Sequence, residues 1–289
     1  MYNYKTNDVT PYEEEQIQKI EQWINKKEPL LSKVLNKLIE PISSLTKLIV
    51  PSSAIEGALV QINKAAEFLT DVQDIERDAN VKDITELQYK SLQLSDKLAN
   101  EVHNYAIGIS SAEGVVTGAL GWAGLAVDIP SLILISVRTI HKIGVCYGFK
   151  CQNKEDELFI LEILQSSNVH TPKEKLVSVT TLQAIGRMAA KHTWKEMAKI
   201  AAEETAKKEI GKQFEKTIAQ RLISLHENLP HLIGKKLTKN AVKKGVPVVG
   251  ALIGAAVNSK YINDVAWVAR YMYQQRWLQV NNKIIINTL

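Results

Sequence analysis

The residues best suited to acid–base or ionic chemistry lie in one stretch that is otherwise almost free of charge. Between residues 104 and 149 the acidic, basic and imidazole side chains are those of Glu113, Asp128, Arg138, His141 and Lys142. A charge in an apolar region needs a partner, so the sequence suggests a polar site formed by Glu113, Asp128, Arg138 and His141. Arg138 and His141 have the spacing of two residues on one helix face.

Asp128 has two interpretations that the residues leave open. It lies two residues before Pro130, where its carboxylate would cap a new helix by accepting the N–H of Ser131. Alternatively, Asp128 forms a buried ionic site with Arg138 or His141. Such a site would give a hydrolase-like enzyme its pocket.

Recognised catalytic motifs are absent from the sequence. No P-loop, GxSxG, GxGxxG or HExxH pattern occurs. His226 and His231 are separated by Pro230, so one helix cannot align them on a metal. Ser44 and Lys47 match the SxxK spacing, but so short a pattern is not specific. The sequence therefore identifies no catalytic residue, metal site or cofactor, and it favours a non-enzymatic protein.

A cluster of lysines precedes the second apolar segment of the chain. Residues 228–263 contain no acidic side chain, and the closely spaced lysines in this range are Lys235, Lys236, Lys239, Lys243 and Lys244. Lysines beside an apolar helix attract anionic lipid headgroups, each contributing about 1 kcal/mol. The cluster predicts contact with an anionic membrane surface; the alternative is a solvated helix face. Nucleic-acid binding is disfavoured, because no aromatic side chains alternate with these lysines.

Two segments are rich in glycine and poor in charge. The glycines with spacings that let helices approach closely are Gly114, Gly118, Gly121, Gly124, Gly250 and Gly254. Such packing occurs both in water-soluble cores and in membranes. The uncharged runs 114–127, 129–137 and 245–259 contain 14, 9 and 15 residues, whereas a spanning helix needs about 20. An integral membrane protein is therefore disfavoured, and a shallow membrane hairpin remains open.

Local signals predict helices along nearly the whole chain. Thr10 followed by Pro11 and Glu13 is the pattern of a capping box. Thr171 before a proline predicts another helix start, and Gly148 predicts a helix end. These signals predict an all-α fold.

The arrangement expected from these elements is a multi-helix bundle with the two glycine-rich apolar helices packed centrally. A separate final helix is expected over about 260–280, and the strand-like run 283–286 is too short to matter. No internal repeat or flexible linker divides the chain. We therefore expect a single domain over residues 1–289.

Charge and cysteine content bear on location and partners. Residues 1–110 carry a net charge of −5 and residues 111–289 a net charge of +10. A basic second half suits a phosphate-bearing partner, or complements the acidic first half. Cys146 and Cys151 do not have the spacing of a redox pair or a zinc site. Two isolated thiols and no secretory signal predict a cytoplasmic protein.

The chain resembles the EcsC family. The resemblance is carried by GALGWAGLAVDIP at 118–130, Arg138, Tyr147-Gly148 and VPVVGALIGAAVN at 246–258, and it extends from about Tyr12 to Trp277. It implies a bacterial protein of a kind often encoded beside an ABC transporter. It implies no catalytic residues.

Together these observations predict a non-enzymatic accessory protein. We expect it to be cytoplasmic and to dock on the inner membrane face or on a membrane protein such as an ABC transporter. The alternatives are an enzyme with a pocket near Asp128, Arg138 and His141, and a stress or defence effector that perturbs membranes. The sequence does not determine the oligomeric state.

Overall fold

Helices account for almost all of the chain that the structure describes. This structure is a computed structural model, and it describes residues 4–6, 8–26, 70–119, 122–167, 171–191 and 247–286. In chain order the elements are β1 (Tyr4–Thr6), α1 (Pro11–Asn25), α2 (Gln73–Ala79), the 3-10 helix Ile84–Tyr89, α3 (Leu92–Ala119), α4 (Trp122–Cys146), α5 (Lys154–Ser166), α6 (Pro172–Lys191), α7 (Pro247–Val280) and β2 (Ile284–Ile286). The prediction of an all-α bundle is confirmed.

Two helices begin where the sequence predicts. At the start of α1, the Glu13 N–H donates to Thr10 Oγ1 at 3.2 Å, and the Thr10 N–H donates to the Glu13 carboxylate at 2.7 Å. This reciprocal pair satisfies backbone donors that a helix start leaves without partners. Thr171 and Glu174 make the same exchange at the start of α6.

The end of α4 is formed by a glycine, as the sequence also predicts. Gly148 has φ +84°, a left-handed conformation that costs a residue with a side chain about 1–2 kcal/mol. The N–H groups of Gly148 and Phe149 donate to the carbonyls of Val145 and Gly144 at 2.9 Å each. These bonds satisfy carbonyls that the helix end would otherwise leave free.

Two predicted helix breaks do not occur. α4 begins at Trp122 and continues through Asp128 and Pro130, so the prediction that Asp128 caps a new helix is wrong. A proline removes one N–H from a helix interior, and packing against α3 stabilises α4 despite that loss. Likewise, the second apolar segment and the expected final helix form one helix, α7, of 34 residues.

α7 lies at the centre of the described bundle. It packs most extensively against α3 and also contacts α1, α4, α5 and α6. α3 and α4 pack against each other and are separated by two residues in the chain, so they run antiparallel. Ile140 and Ile143 of α4 and Ile262, Val265 and Ala269 of α7 are buried in the apolar core. The first glycine-rich segment spans the end of α3 and the start of α4, and the second begins α7.

The two strands form a short antiparallel sheet. Tyr4 lies opposite Ile286, and Thr6 lies opposite Ile284. The strand-like run near residue 284 is thus a real strand, but only three residues long. It leaves the all-α class unchanged and fastens the segment before α1 to the segment after α7.

Candidate functional site

A row of polar side chains, half of them buried, joins α3 to α7. Its hydrogen-bonded pairs are Asp96–Gln274 at 2.7 Å, Asn100–Arg270 at 3.0 Å, His103–Asn263 at 3.2 Å and Ser111–Ser259 at 2.6 Å. From Asp96 to Ser111 is fifteen residues along α3, and from Gln274 to Ser259 is fifteen residues back along α7. The helices are therefore antiparallel, in a register that these four pairs define. We call this row the polar seam.

Asp96 connects the polar seam to two further parts of the molecule. It is 4% exposed, and its carboxylate accepts hydrogen bonds from the Tyr12 hydroxyl at 2.8 Å, the Tyr147 hydroxyl and the Gln274 amide. Burial, and then the charge of Asp96, raises the pKa of both tyrosine hydroxyls. Both hydroxyls therefore stay protonated and donate. One carboxylate on α3 thus holds α1, the end of α4 and α7.

Arg270 and His103 occupy the next level of the polar seam. Arg270 is 8% exposed, and its guanidinium carbon lies 4.5 Å from the centroid of the Trp267 ring. His103 packs edge-on against the same ring, with 5.3 Å between centroids. Burial, and then the charge of Arg270, lowers the pKa of His103 to about 4. The imidazole is therefore neutral at pH 7, beside a permanent cation.

The four residues of the expected polar site lie at two separate levels. Glu113 is six residues before the end of α3 and Asp128 six residues after the start of α4, so the antiparallel pairing puts them at one level. Arg138 and His141 lie ten and thirteen residues farther along the unbroken α4. At 1.5 Å per residue those separations are about 15 and 20 Å along the helix axis. α4 therefore does not bring Asp128 to Arg138 or His141.

His141 contributes instead to the contact between α4, α5 and α7. Burial lowers the pKa of His141 to about 4, against the opposing charge of Asp156. Asp156 forms an ion pair with Arg276 at 3.0 Å, and the guanidinium of Arg276 lies 4.4 Å from the Phe149 ring centroid. Arg138 is half-buried one turn earlier on α4.

The one cavity seen among the described residues is too small for a substrate. One cavity between α5, α6 and α7 has a volume of about 10 Å³, which accommodates about one water molecule. Burial raises the pKa of the Cys146 thiol, the opposite of the change that activates a cysteine nucleophile. In the described part of the chain, no group of His, Cys, Asp and Glu side chains could hold a metal ion. None of the described helices combines the length and hydropathy needed to cross a membrane.

The register of the polar seam brings the two glycine motifs to the same end of the bundle. Gly114 and Gly118 lie three and seven residues beyond Ser111 on α3, and Gly254 and Gly250 lie five and nine residues before Ser259 on α7. Gly124 lies near the start of α4, at that end too. The remaining sequence-predicted residues lie outside the described ranges: Gly121, Lys235, Lys236, Lys239, Lys243, Lys244, His226, His231, Ser44 and Lys47.

Sequence reasoning missed every member of the polar seam. One signal was present: Asp96 falls between Leu92 and Ala99, at the spacing of a buried helix face. A charged residue at such a position needs a partner. The partner Gln274 is 178 residues away in the chain, so no local pattern could identify it.

Comparison with known proteins yields two matches. The uncharacterized protein YdbA of Bacillus subtilis (strain 168) is 23% identical to this chain over 193 residues. The match covers 67% of this chain and 61% of the relative, so the chain spans about three-fifths of that relative's length. No solved structure matches the chain. The model of the EcsC protein family matches residues 14–278, nearly the whole chain, and the protein therefore belongs to the EcsC family.

Proposed function

We propose that this protein is a membrane-proximal accessory protein, which acts by docking rather than by catalysis. Its target is the cytoplasmic membrane surface or a protein in that membrane. The single observation that carries the proposal is the gathering of helix ends that contain only one charged residue at one end of the bundle. Those ends are residues 112–119 of α3, 122–127 of α4 and 247–257 of α7, which we call the apolar end.

The helix pairing places these three segments together. The polar seam sets α3 antiparallel to α7, so the end of α3 lies beside the start of α7. The α3–α4 hairpin sets the start of α4 beside the end of α3. Across the three segments the one charged residue is Glu113. The backbones of these three segments, which contain few charged residues, therefore lie at the same end of the helix pair.

The lysine cluster supports the same target through its charge and its place in the sequence. Lys244 precedes the first residue of α7, Pro247, by three residues. Three residues of extended chain reach about 10 Å at most, so chain connectivity keeps the backbone of Lys244 within about that distance of the start of α7. Apolar side chains beside clustered cations provide the two contributions that a peripheral membrane contact combines.

The chemistry of the described residues also favours a binding role. Each buried residue of the polar seam makes at least one hydrogen bond between α3 and α7. Such bonds fix the relative positions of α1, α3, α4 and α7, which is the role of a scaffold. The resemblance to a family often encoded beside ABC transporters makes a transporter one candidate for the membrane protein.

Fractionation of cells that express the full chain tests this proposal. We expect the protein in the membrane pellet at low salt and its release by high salt or alkaline carbonate, because both treatments remove peripheral proteins. A variant with Lys235, Lys236, Lys239 and Lys243 changed to Glu is expected in the supernatant. Recovery of the wild-type protein entirely in the low-salt supernatant would contradict the proposal.

A further inference from the structure

We infer that a surface row of three aromatic side chains binds a proline-rich segment of a partner protein, in the extended polyproline II conformation. The row consists of Trp23 of α1 and of Tyr271 and Trp267 of α7, and we call it the aromatic row. The ring centroids of Trp23 and Tyr271 are 5.3 Å apart, and those of Tyr271 and Trp267 are 5.4 Å apart. Trp267 lies twenty residues after the start of α7, so this surface is separate from the apolar end.

The aromatic row presents hydrogen-bond donors to the solvent. Trp267 is 38% exposed, and Trp23 and Tyr271 are partly exposed. Within the described part of the chain, the two indole N–H groups and the Tyr271 hydroxyl make no hydrogen bond to the protein. The buried side-chain atoms without a partner belong to other described residues, so these donors reach the surface. An indole N–H donates and cannot accept, so the row requires a partner rich in acceptors.

Buried cations hold the aromatic row in place at both ends. The guanidinium carbon of Arg270 lies 4.5 Å from the Trp267 ring centroid, and Lys175 Nζ lies 5.2 Å from the Trp23 ring centroid. Arg270 is 8% exposed and Lys175 6%. Lys175 also donates to the Trp23 carbonyl at 3.1 Å, which fixes the end of α1 against α6. A surface that is ordered before binding loses less conformational entropy when a partner binds.

A proline-rich segment has the chemistry and the spacing that this row requires. A polyproline II helix makes no internal hydrogen bonds, and proline has no N–H, so such a segment offers carbonyl acceptors and few donors. Three residues make one turn of about 9 Å, which places prolines at i and i+3 on one side. The outer two centroids of the aromatic row are at most about 11 Å apart. The row therefore matches about one turn, and aromatic-lined surfaces are a general means of binding this helix.

Other classes of partner fit the aromatic row less well. Each ring already contacts two further rings or cations, whereas single-stranded nucleic acid needs free ring faces on which bases stack. An amphipathic helix needs an apolar groove. The residues of α7 that reach the surface in the two turns before Trp267 are Lys260, Asn263 and Asp264, which are polar. The free edges of the rings, rather than their faces, are what the surface offers.

Titration of the ¹⁵N-labelled full chain with decaproline tests the donors directly. We expect the indole N–H signals of Trp23 and Trp267 to shift with decaproline and not with a glycine–serine peptide of equal length. The indole N–H of Trp277 is the internal control, because Trp277 is buried and donates to the Leu87 carbonyl at 3.1 Å. Its signal should not move.

Two variants and a matched control locate the binding by fluorescence anisotropy of labelled decaproline. Tyr271→Phe keeps the ring but loses the hydroxyl, and the loss of one hydrogen bond should weaken binding about 2- to 12-fold. Trp267→Leu removes a ring and should lose most of the binding. Tyr89→Phe removes the hydroxyl of a side chain that is 74% exposed outside the aromatic row, and it should bind as the wild type does.

Several results would overturn the inference. The first is an absence of shifts at Trp23 and Trp267, and the second is an affinity for decaproline that is unchanged in both Tyr271→Phe and Trp267→Leu. Shifts with a ten-nucleotide thymidine oligonucleotide but not with decaproline would identify a nucleic-acid partner instead. Membrane fractionation tests the proposed docking separately, so failure of either proposal leaves the other standing.

Discussion

Asp96 is the residue on which the polar seam can be tested most directly. In Asp96→Asn the side chain keeps its shape, but one acceptor oxygen becomes an amide donor that faces another donor. Hydrogen bonds to a charged group contribute about 1.5–3 kcal/mol each, so we expect the free energy of unfolding to fall by about that amount in urea titrations. Asp264→Asn is the control, because Asp264 pairs with the exposed Lys260 at 2.6 Å and exposed pairs contribute about 1 kcal/mol or less. Equal stability of the two variants would refute a structural role for Asp96.

His103 makes stability depend on pH in a predictable direction. Its pKa is about 4 in the folded protein and about 6.5 in an unfolded chain. Between pH 4 and 6.5 the unfolded chain binds a proton at His103 that the folded protein does not bind. The contribution of neutral His103 to the free energy of unfolding is therefore fully present above about pH 6.5 and is lost as the pH falls toward 4. The stability difference between wild type and His103→Gln should therefore shrink as pH falls from 7 to 4.5, by at most about 1.4 kcal/mol per pKa unit.

Chemical denaturation at a series of pH values measures this difference. His141 also has a pKa lowered to about 4, so the variant should keep part of the wild-type pH dependence. A difference between the two proteins that does not change with pH would contradict the prediction. A titration of the His103 ring by NMR gives the same pKa independently.

At the scale of helices, substitutions of two glycines are expected to change the stability of the protein in opposite directions. Gly148 has φ +84°, and a Cβ there would lie 2.7 Å from the backbone nitrogen of Gln88. Gly148→Ala should therefore destabilise the protein by at least about 1–2 kcal/mol. Gly108 lies exposed inside α3, with nothing within 4 Å of an added Cβ. Gly108→Ala should stabilise the protein by about 0.5–1 kcal/mol. Thermal melting of both variants checks the prediction, and changes of the same sign would refute it.

The same helices show how far local sequence signals reach. The starts at Thr10 and Thr171 and the end at Gly148 were predictable, because each depends on residues within one helical turn. The predicted break at Asp128 and Pro130 was wrong, because a local breaker signal competes with packing along the whole of α4. Helix starts and ends that depend on neighbouring residues could therefore be predicted from the sequence, but helix length could not.

The candidate site was less predictable than the fold. The sequence pointed to charged residues in a visibly apolar stretch, such as Asp128 and Arg138. The polar seam lies in amphipathic helices where a buried Asp96 looks like an ordinary surface residue. Its identification needed the pairing of α3 with α7, which is set by contacts more than 140 residues apart in the chain.

At the scale of the whole molecule, the polar seam and the apolar end occupy different parts of the antiparallel pair formed by α3 and α7. Beyond the Asp96 end of the polar seam, Asn281 after α7 donates to the carbonyl of Gln88 in the 3-10 helix at 2.8 Å. The other end of the same helix pair holds the apolar end, and in the sequence the lysine cluster precedes α7 there. The lysine cluster contributes five of the positive charges in residues 111–289, whose net charge is +10.

Reversing the charge of the lysine cluster tests whether the apolar end is the end that docks. Changing Lys235, Lys236, Lys239 and Lys243 to Glu should abolish sedimentation with phosphatidylglycerol vesicles, because four attractions of about 1 kcal/mol each become repulsions. Wild-type binding should also weaken with salt, since the screening length is about 8 Å at 0.15 M.

The control carries the same charge change on exposed lysines away from the apolar end: Lys26, Lys82, Lys90 and Lys97. Because the two variants have equal net charge, only a docking surface at the cluster predicts that the first loses binding and the second retains most of it. Equal losses would show that overall charge governs binding, and equal binding of wild type to neutral and anionic vesicles would exclude an electrostatic contribution.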